Sequence, residues 1–293
     1  MISYNPKDWA RFILSFHKAD TFRKLLPLML VIGLYSWGVA FLVIEYFHLP
    51  DSSPMKNVSL LHTLLGFAIS MLLVFRTNTA YDRWWEGRKL WGSLVNNSRN
   101  LSLKLNSMLA YDDEKNRKFF MRIIPLFCWE LKNHLQREET RYSLDDQPHP
   151  EIPNFDRTKH VPNQVAGLIM TRVNLLYRQG QITGDQMLIL NTELLSFMDI
   201  CGACERIKNT PIPYSYSAFL KKFIFIYVVT LPLGYVFNLG YLIIPVAILI
   251  LYVLASLELI AEEIEDPFGK DSNDLPMHRI CETIQRNVTE TLS

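Results

Sequence analysis

Apolar positions run almost unbroken through three stretches of the chain, and polar positions crowd into the segments between them. Residues 25–47, 58–75 and 223–257 carry a single formal charge, Glu45. A helix rises about 1.5 Å per residue, and the hydrocarbon core of a bilayer is about 30 Å thick. Leu25–Phe47 is therefore long enough to cross with some tilt, and Val58–Phe75, at about 27 Å, is just long enough. Phe223–Leu257 is too long for one crossing and suits two, with the natural break at Asn238-Leu239-Gly240. Pro27, Pro232 and Pro245 lie within or beside these segments, where bilayer helices tolerate them.

Outside the spans the pattern stays helical. No proline interrupts Val58 to Ala110, so the second span is expected to continue far past the membrane as one rod of about 80 Å. Trp84, Trp85, Leu90, Trp91, Leu94 and Val95 supply apolar area to pack along it. Further helices are expected near Asn116–Glu138, Asn163–Arg178 and Gly184–Ile207. The first two are separated by a loop marked by Pro148, Pro150, Pro153 and Pro162. Gly180 closes the helix before it, and Pro211 with Pro213 stops the last. No alternating strand pattern stands out. Near the start, Trp9, Phe12, Ile13 and Phe16 share one helical face. That face suits either the headgroup region of a membrane or packing on the protein itself.

Charge sets the orientation. Lys7, Arg11, Lys18, Arg23 and Lys24 precede the first span, Arg76, Arg83, Arg88 and Lys89 follow the second, and Lys221 and Lys222 precede the third. The connections 48–57 and Asn238–Gly240 hold only Lys56. The positive-inside rule places both termini and the long middle region in the cytoplasm of a cell whose inner (plasma) membrane holds the spans. The expected organisation is an interfacial segment 1–24, a membrane hairpin 25–75 (spans 25–47 and 58–75), a cytosolic helical region 76–218, a second hairpin 219–257 and a cytosolic segment 258–293. The first apolar run is of spanning length and is expected to be retained, not cleaved as a signal. The net charge of +1 gives no basic footprint for nucleic acid. Cys201-Gly-Ala-Cys204 is a lone CxxC without the further ligands of a structural zinc site, and it reads as a buried, inert pair.

Four spans suit an anchor, a carrier or a channel. The second span, Val58–Phe75, has no formal charge. Phe67, Met71 and Phe75 recur every fourth residue along one face, with Gly66 and Ser70 on a neighbouring one. That stripe suits lipid, sibling helices or a pore. A coupled carrier usually needs ionisable groups near the midplane, whereas Glu45 and His62 lie near the outer end. Four helices are too few to enclose a wide pore in one chain, so a pore would form on a symmetry axis between copies. No HExxH, GxGxxG, GxSxG or P-loop run is present. The seven histidines (17, 48, 62, 134, 149, 160 and 278) form no pair with ligand spacing on one helix. A secondary transporter and a membrane-anchored scaffold are the competing readings; catalysis is not expected.

The run Phe75-Arg76-Thr77-Asn78-Thr79-Ala80-Tyr81-Asp82-Arg83-Trp84-Trp85-Glu86-Gly87-Arg88-Lys89-Leu90-Trp91-Gly92 resembles the bestrophin family in its bacterial branch. So do Leu65-Gly66-Phe67, Cys204-Glu205-Arg206-Ile207 with Thr210-Pro211-Ile212-Pro213, and Glu262-Glu263-Ile264-Glu265-Asp266-Pro267-Phe268-Gly269 with Asn273-Asp274-Leu275-Pro276. The resemblance covers nearly the whole chain. It implies a homopentameric ion channel, all-α and multi-pass, with four transmembrane helices and a large cytosolic helical region assembled around a central pore. It places the pore neck on Phe67, Met71 and Phe75, where five apolar rings close a path by dewetting. It places a cytosolic aperture near Asp185 and Gln186; a ring of Asp185 carboxylates would favour cations, and a solvated helix-start Asp is the alternative. Animal members hold calcium in an acidic clasp that falls here on Asp266, Asp271 and Asp274, with Glu263 as a further member. Lys270 and Ser272 interrupt that acidic run, so no cofactor is required and a structural turn competes with a calcium site. The expected partners are further copies of the chain, the lipid bilayer and monovalent ions. The expected preference leans to cations, with an anion (chloride) channel as the alternative.

Overall fold

The computed structural model describes residues 20–48, 58–136 and 155–293, and every regular element among them is helical. The amphipathic stretch at Trp9–Phe16 and the loop prolines 148, 150 and 153 lie outside the described residues. The helices are α1 Asp20–Phe41, with a wider-wound turn Leu42–Tyr46 at its end, α2 Val58–Met108, α3 Glu114–Gln136 and α4 Val161–Arg178. Then come α5 Gly184–Asn209, α6 Tyr214–Leu239, α7 Ile243–Glu265 and α8 Met277–Leu292. The long apolar segment near 223–257 is two helices, as expected. Gly240, at φ +54°, ends α6 in a conformation that side-chain-bearing residues rarely adopt.

The elements outrun the apolar runs that announce them. α1 begins before Leu25, α6 begins at Tyr214 and α7 continues to Glu265. Hydrogen bonding along a helix is indifferent to side-chain polarity, so a helix leaves the apolar zone without ending. α8 was not expected at all, although Met277, Cys281, Ile284, Val288 and Leu292 recur at three- and four-residue intervals and are buried.

The chain divides into two compact units. One includes the described residues of 83–211 and 266–293. Its centre is α3, which buries Phe119, Phe120, Ile123, Ile124, Phe127 and Leu131 together. α2 contributes Trp91, Leu94, Leu101 and Leu105 to the same core, a stripe at helical spacing. α4, α5 and α8 complete it. Burial of such side chains stabilises by about 1.5–3 kcal/mol each.

By length and composition, four segments are apolar enough to cross a membrane: Thr21–Tyr46, Ser59–Met108, Gly184–Asn209 and Tyr214–Glu265. The last comprises α6 and α7. The third is α5, which was expected to lie outside the membrane. Leu190, Leu194, Phe197, Ile200, Cys201, Cys204 and Ile207 of α5 are buried in its own unit. Its Glu193 is held by Lys104 at 2.8 Å.

The second unit includes the described residues of 20–82 and 212–265. Ile32, Ile69, Leu73, Ile224, Val228, Leu231, Ala247 and Leu251 form its core. Gly33 of α1 lets Ile248 of α7 approach closely; a Cβ there would sit 3.0 Å from the Ile248 Cδ1. Arg76 is 1% exposed. It meets Glu258 of α7 (Nε to Oε2 3.4 Å) and Glu265 (Nη2 to Oε2 2.7 Å). A buried charge requires such partners, and removing one leaves the others uncompensated.

Replacing Arg76 by Ala is expected to destabilise by about 3–5 kcal/mol, because two carboxylates lose their cation in a buried setting. Replacing Lys221, whose pair with Glu262 is exposed, is expected to cost about 0–1 kcal/mol. Thermal unfolding of the two purified variants in the same detergent measures the contrast.

Candidate functional site

The two sides of α2 do different work. His62, Ile69, Leu73, Arg76 and Ala80 are all buried, and their spacing of seven, four, three and four residues lines up one face. Leu60, Leu64, Phe67, Met71 and Phe75 occupy the diametrically opposite face, at about 100° of rotation per residue. Phe67 is 74% exposed, Met71 50% and Phe75 54%. The expected stripe therefore exists, and among the described residues it is left largely exposed.

Long polar side chains hold the buried face. The Tyr235 hydroxyl donates to the Ser59 carbonyl at 3.3 Å, and the Tyr216 hydroxyl to the Leu72 carbonyl at 3.0 Å. His62 Nε2 lies 3.0 Å from the Thr230 Oγ1 and 3.3 Å from the Tyr227 carbonyl. Gly66 leaves room for the Tyr227 hydroxyl, which would stand 2.9 Å from an added Cβ. The glycine thus admits the tip of a ring from α6. Ser70 returns its hydroxyl to the Gly66 carbonyl at 2.7 Å. Arg76 completes the series. Each tether has a direction, so together they fix the rotation of the helix and with it the outward aim of Phe67, Met71 and Phe75.

At the start of α5, Thr183 and Gln186 form a capping box. Thr183 Oγ1 accepts from the Gln186 amide, and Gln186 Oε1 accepts from the Thr183 amide. Gln186 is therefore engaged in starting the helix. Asp185, in the first turn, is exposed and favourably placed against the helix dipole. One turn on, Leu188 is 70% exposed.

Of the acidic residues after α7, Asp266 and Asp274 receive donors from the protein itself. Asp266 forms an ion pair with Lys208, and its Oδ1 accepts from the Phe268 amide at 3.4 Å. Asp274 is buried, and its Oδ2 accepts from the Asp271 amide at 2.6 Å. The Leu275 amide donates to the Pro267 carbonyl at 2.9 Å. A Cβ on Gly269 would lie 2.6 Å from the Asp274 Oδ2, so only glycine fits this turn. Phe268, wholly buried, packs beside Gly87. The Asp271 side chain is exposed. Glu263 is paired with Lys24 at 2.9 Å. Calcium needs six to eight converging oxygens. Here the Lys208 ammonium sits on Asp266 and the Asp271 amide on one oxygen of Asp274, the arrangement of a structural turn.

Cys201 and Cys204 are buried and free, without a disulfide. Burial, followed by the nearby Glu205 carboxylate, pushes the Cys201 thiol up to about 12, and burial raises Cys204 further. Both stay protonated at neutral pH, which makes them poor ligands and poor nucleophiles.

The sequence profile of a family described as Bacterial/Fungal Bestrophin protein matches residues 1–290. A protein of Nostoc sp. named a voltage-dependent anion channel-forming protein is 35% identical over 263 residues, 88% of this chain and 84% of that one. An Escherichia coli protein of the same name is 32% identical over 295 residues, covering 97% and 92%. A solved variant of a bacterial bestrophin homologue from Klebsiella pneumoniae superposes with a TM-score of 0.83 at 27% identity, covering 92% of this chain and all of that one.

Because Lys208 and a backbone amide engage two of the three aspartates of the 266–274 turn, millimolar calcium is expected to leave both the melting midpoint and any current unchanged. Clear activation or a raised midpoint on calcium addition, measured in the purified protein, would refute that assignment.

Proposed function

We propose, for a chain that belongs to the bacterial and fungal bestrophin family, that it forms a membrane channel in which five copies surround one pore and monovalent ions pass down their gradient, anions in preference. The observation that carries this reading is the apolar stripe of Phe67, Met71 and Phe75, held outward by a pinned opposite face. A closed ring of such stripes makes a narrow path that empties of water without any plug. An aromatic ring presents partial positive charge at its edge and partial negative charge on its face. Edges of Phe67 and Phe75 turned to the axis would favour anions.

The sign of the preference departs from the lean toward cations drawn from acidic residues. Asp266 is neutralised by Lys208, Asp274 is turned to backbone amides, and Gln186 caps a helix. The names carried by the Nostoc and Escherichia coli relatives point to anions. Asp185 remains as an exposed carboxylate at the expected aperture, and it favours cations. The distribution of Lys and Arg supports an inner-membrane protein with both termini in the cytoplasm. No step of this reading requires a cofactor or catalysis.

Purified protein in planar bilayers tests it. In asymmetric chloride salt the reversal potential is expected to move toward the chloride equilibrium value; movement toward the cation value would overturn the anion preference, and an Asp185→Asn variant would then report whether that carboxylate is the cause. Replacing Phe67, Met71 and Phe75 together by Ala is expected to raise single-channel conductance, because a wider ring wets more readily. Unchanged currents would move the stripe to the lipid.

A further inference from the structure

The unit containing α3, α4 and α5 brings together two histidines and a carboxylate that the channel reading does not use. His134 lies in the last turn of α3, His160 caps the start of α4, and Glu205 lies near the end of α5. Both imidazole Nε2 atoms stand 2.6 Å from the same oxygen, Glu205 Oε1. The two rings are 4.4 Å apart between centroids, and the three ligand atoms lie within 4.8 Å of one another. All three side chains are about one-third exposed, so the cluster is open to solvent on one side.

From this convergence we propose that His134, His160 and Glu205 form a binding site for a divalent transition-metal ion, with zinc as the ion its ligands suit best. Two imidazoles and one carboxylate are a complete three-ligand set for zinc, with water in the fourth position. An ion 2.0–2.1 Å from each atom needs ligands about 3.3 Å apart. The histidines would draw back from Glu205 Oε1 by about 0.7 Å each, which partly exposed side chains can do. The thiols of Cys201 and Cys204 do not compete, since burial keeps them protonated.

Binding has a particular consequence at His160. Its Nδ1 accepts a hydrogen bond from the Asn163 amide at 3.1 Å, so in the neutral ring the proton sits on Nε2 and points at Glu205. A metal at Nε2 needs that lone pair. The proton therefore moves to Nδ1, and the cap on Asn163 opens as the ion arrives. The ion joins the end of α3, the start of α4 and the end of α5, three elements that are distant in sequence.

The test uses the full-length protein, free of affinity tag and stripped of metal, titrated with zinc chloride alone by calorimetry. One zinc per chain is expected, with a raised melting midpoint. His134→Ala and His160→Asn are each expected to weaken binding at least about tenfold. Asn at position 160 retains the helix cap, so that variant removes the ligand and keeps the fold. His278→Ala, at a separate His–Glu pair on α8, is expected to bind as the parent does. Should either site variant fail to fold, cobalt chloride added to the parent protein decides. A visible absorption band from low-coordinate cobalt is expected, and its absence overturns the site. Zinc uptake that is missing from the parent, or retained by both site variants, overturns it equally.

Discussion

A cation buried among helices has to be answered by anions, and Arg76 answers to two. Its contacts with Glu258 and Glu265 tie the second span to the end of the fourth across 182 residues of sequence. Because the guanidinium is planar and its donors are fixed in direction, the pairing sets rotation as well as distance. Phe75 is the next residue back along the chain. Once Arg76 faces inward, Phe75, Met71 and Phe67 are turned outward by helical geometry alone. Tyr216, Tyr235 and His62 repeat the instruction along the helix. The outward stripe is thus a consequence of how the opposite face is satisfied, and it needs no special property of its own side chains.

That relation explains what the sequence could reveal. Charge depletion announced the four spanning segments, and the Asn238–Gly240 break separated the last two, because the cost of placing charge in hydrocarbon is large and local. The stripe was visible as a four-residue repeat, but its direction was not, since an apolar face suits lipid and pore alike. The direction depends on partners far away in the chain. α8 was legible in the spacing of Met277, Cys281, Ile284, Val288 and Leu292 and was passed over beside the acidic run preceding it. The capping box also had a readable signature, Thr183 with Gln186 three residues on. The role of the acids did not. Nothing local ties Lys208 to Asp266, so the partner of that carboxylate was not legible in the acidic run itself. The convergence of His134, His160 and Glu205 is hidden for the same reason, each residue coming from a different helix.

The two units carry different kinds of chemistry. In one, hydroxyls and one histidine satisfy backbone groups at the edges of an apolar interior, and exposed leucines and phenylalanines are left for lipid or for other copies. In the other, aromatic side chains of α3 fill an ordinary core, and charged pairs such as Lys104 with Glu193 decorate its margins.

Where the face of Met71 points in the assembled protein is the most direct question. A Met71→Cys variant, reconstituted in a bilayer, can be challenged from the water with a charged methanethiosulfonate reagent; the native thiols are buried. If copies of the stripe surround a path for ions, the new thiol reacts and the current falls. If the thiol stays untouched by the aqueous reagent, and a fluorophore at the same position is quenched by brominated lipid, the stripe faces hydrocarbon and the account is wrong.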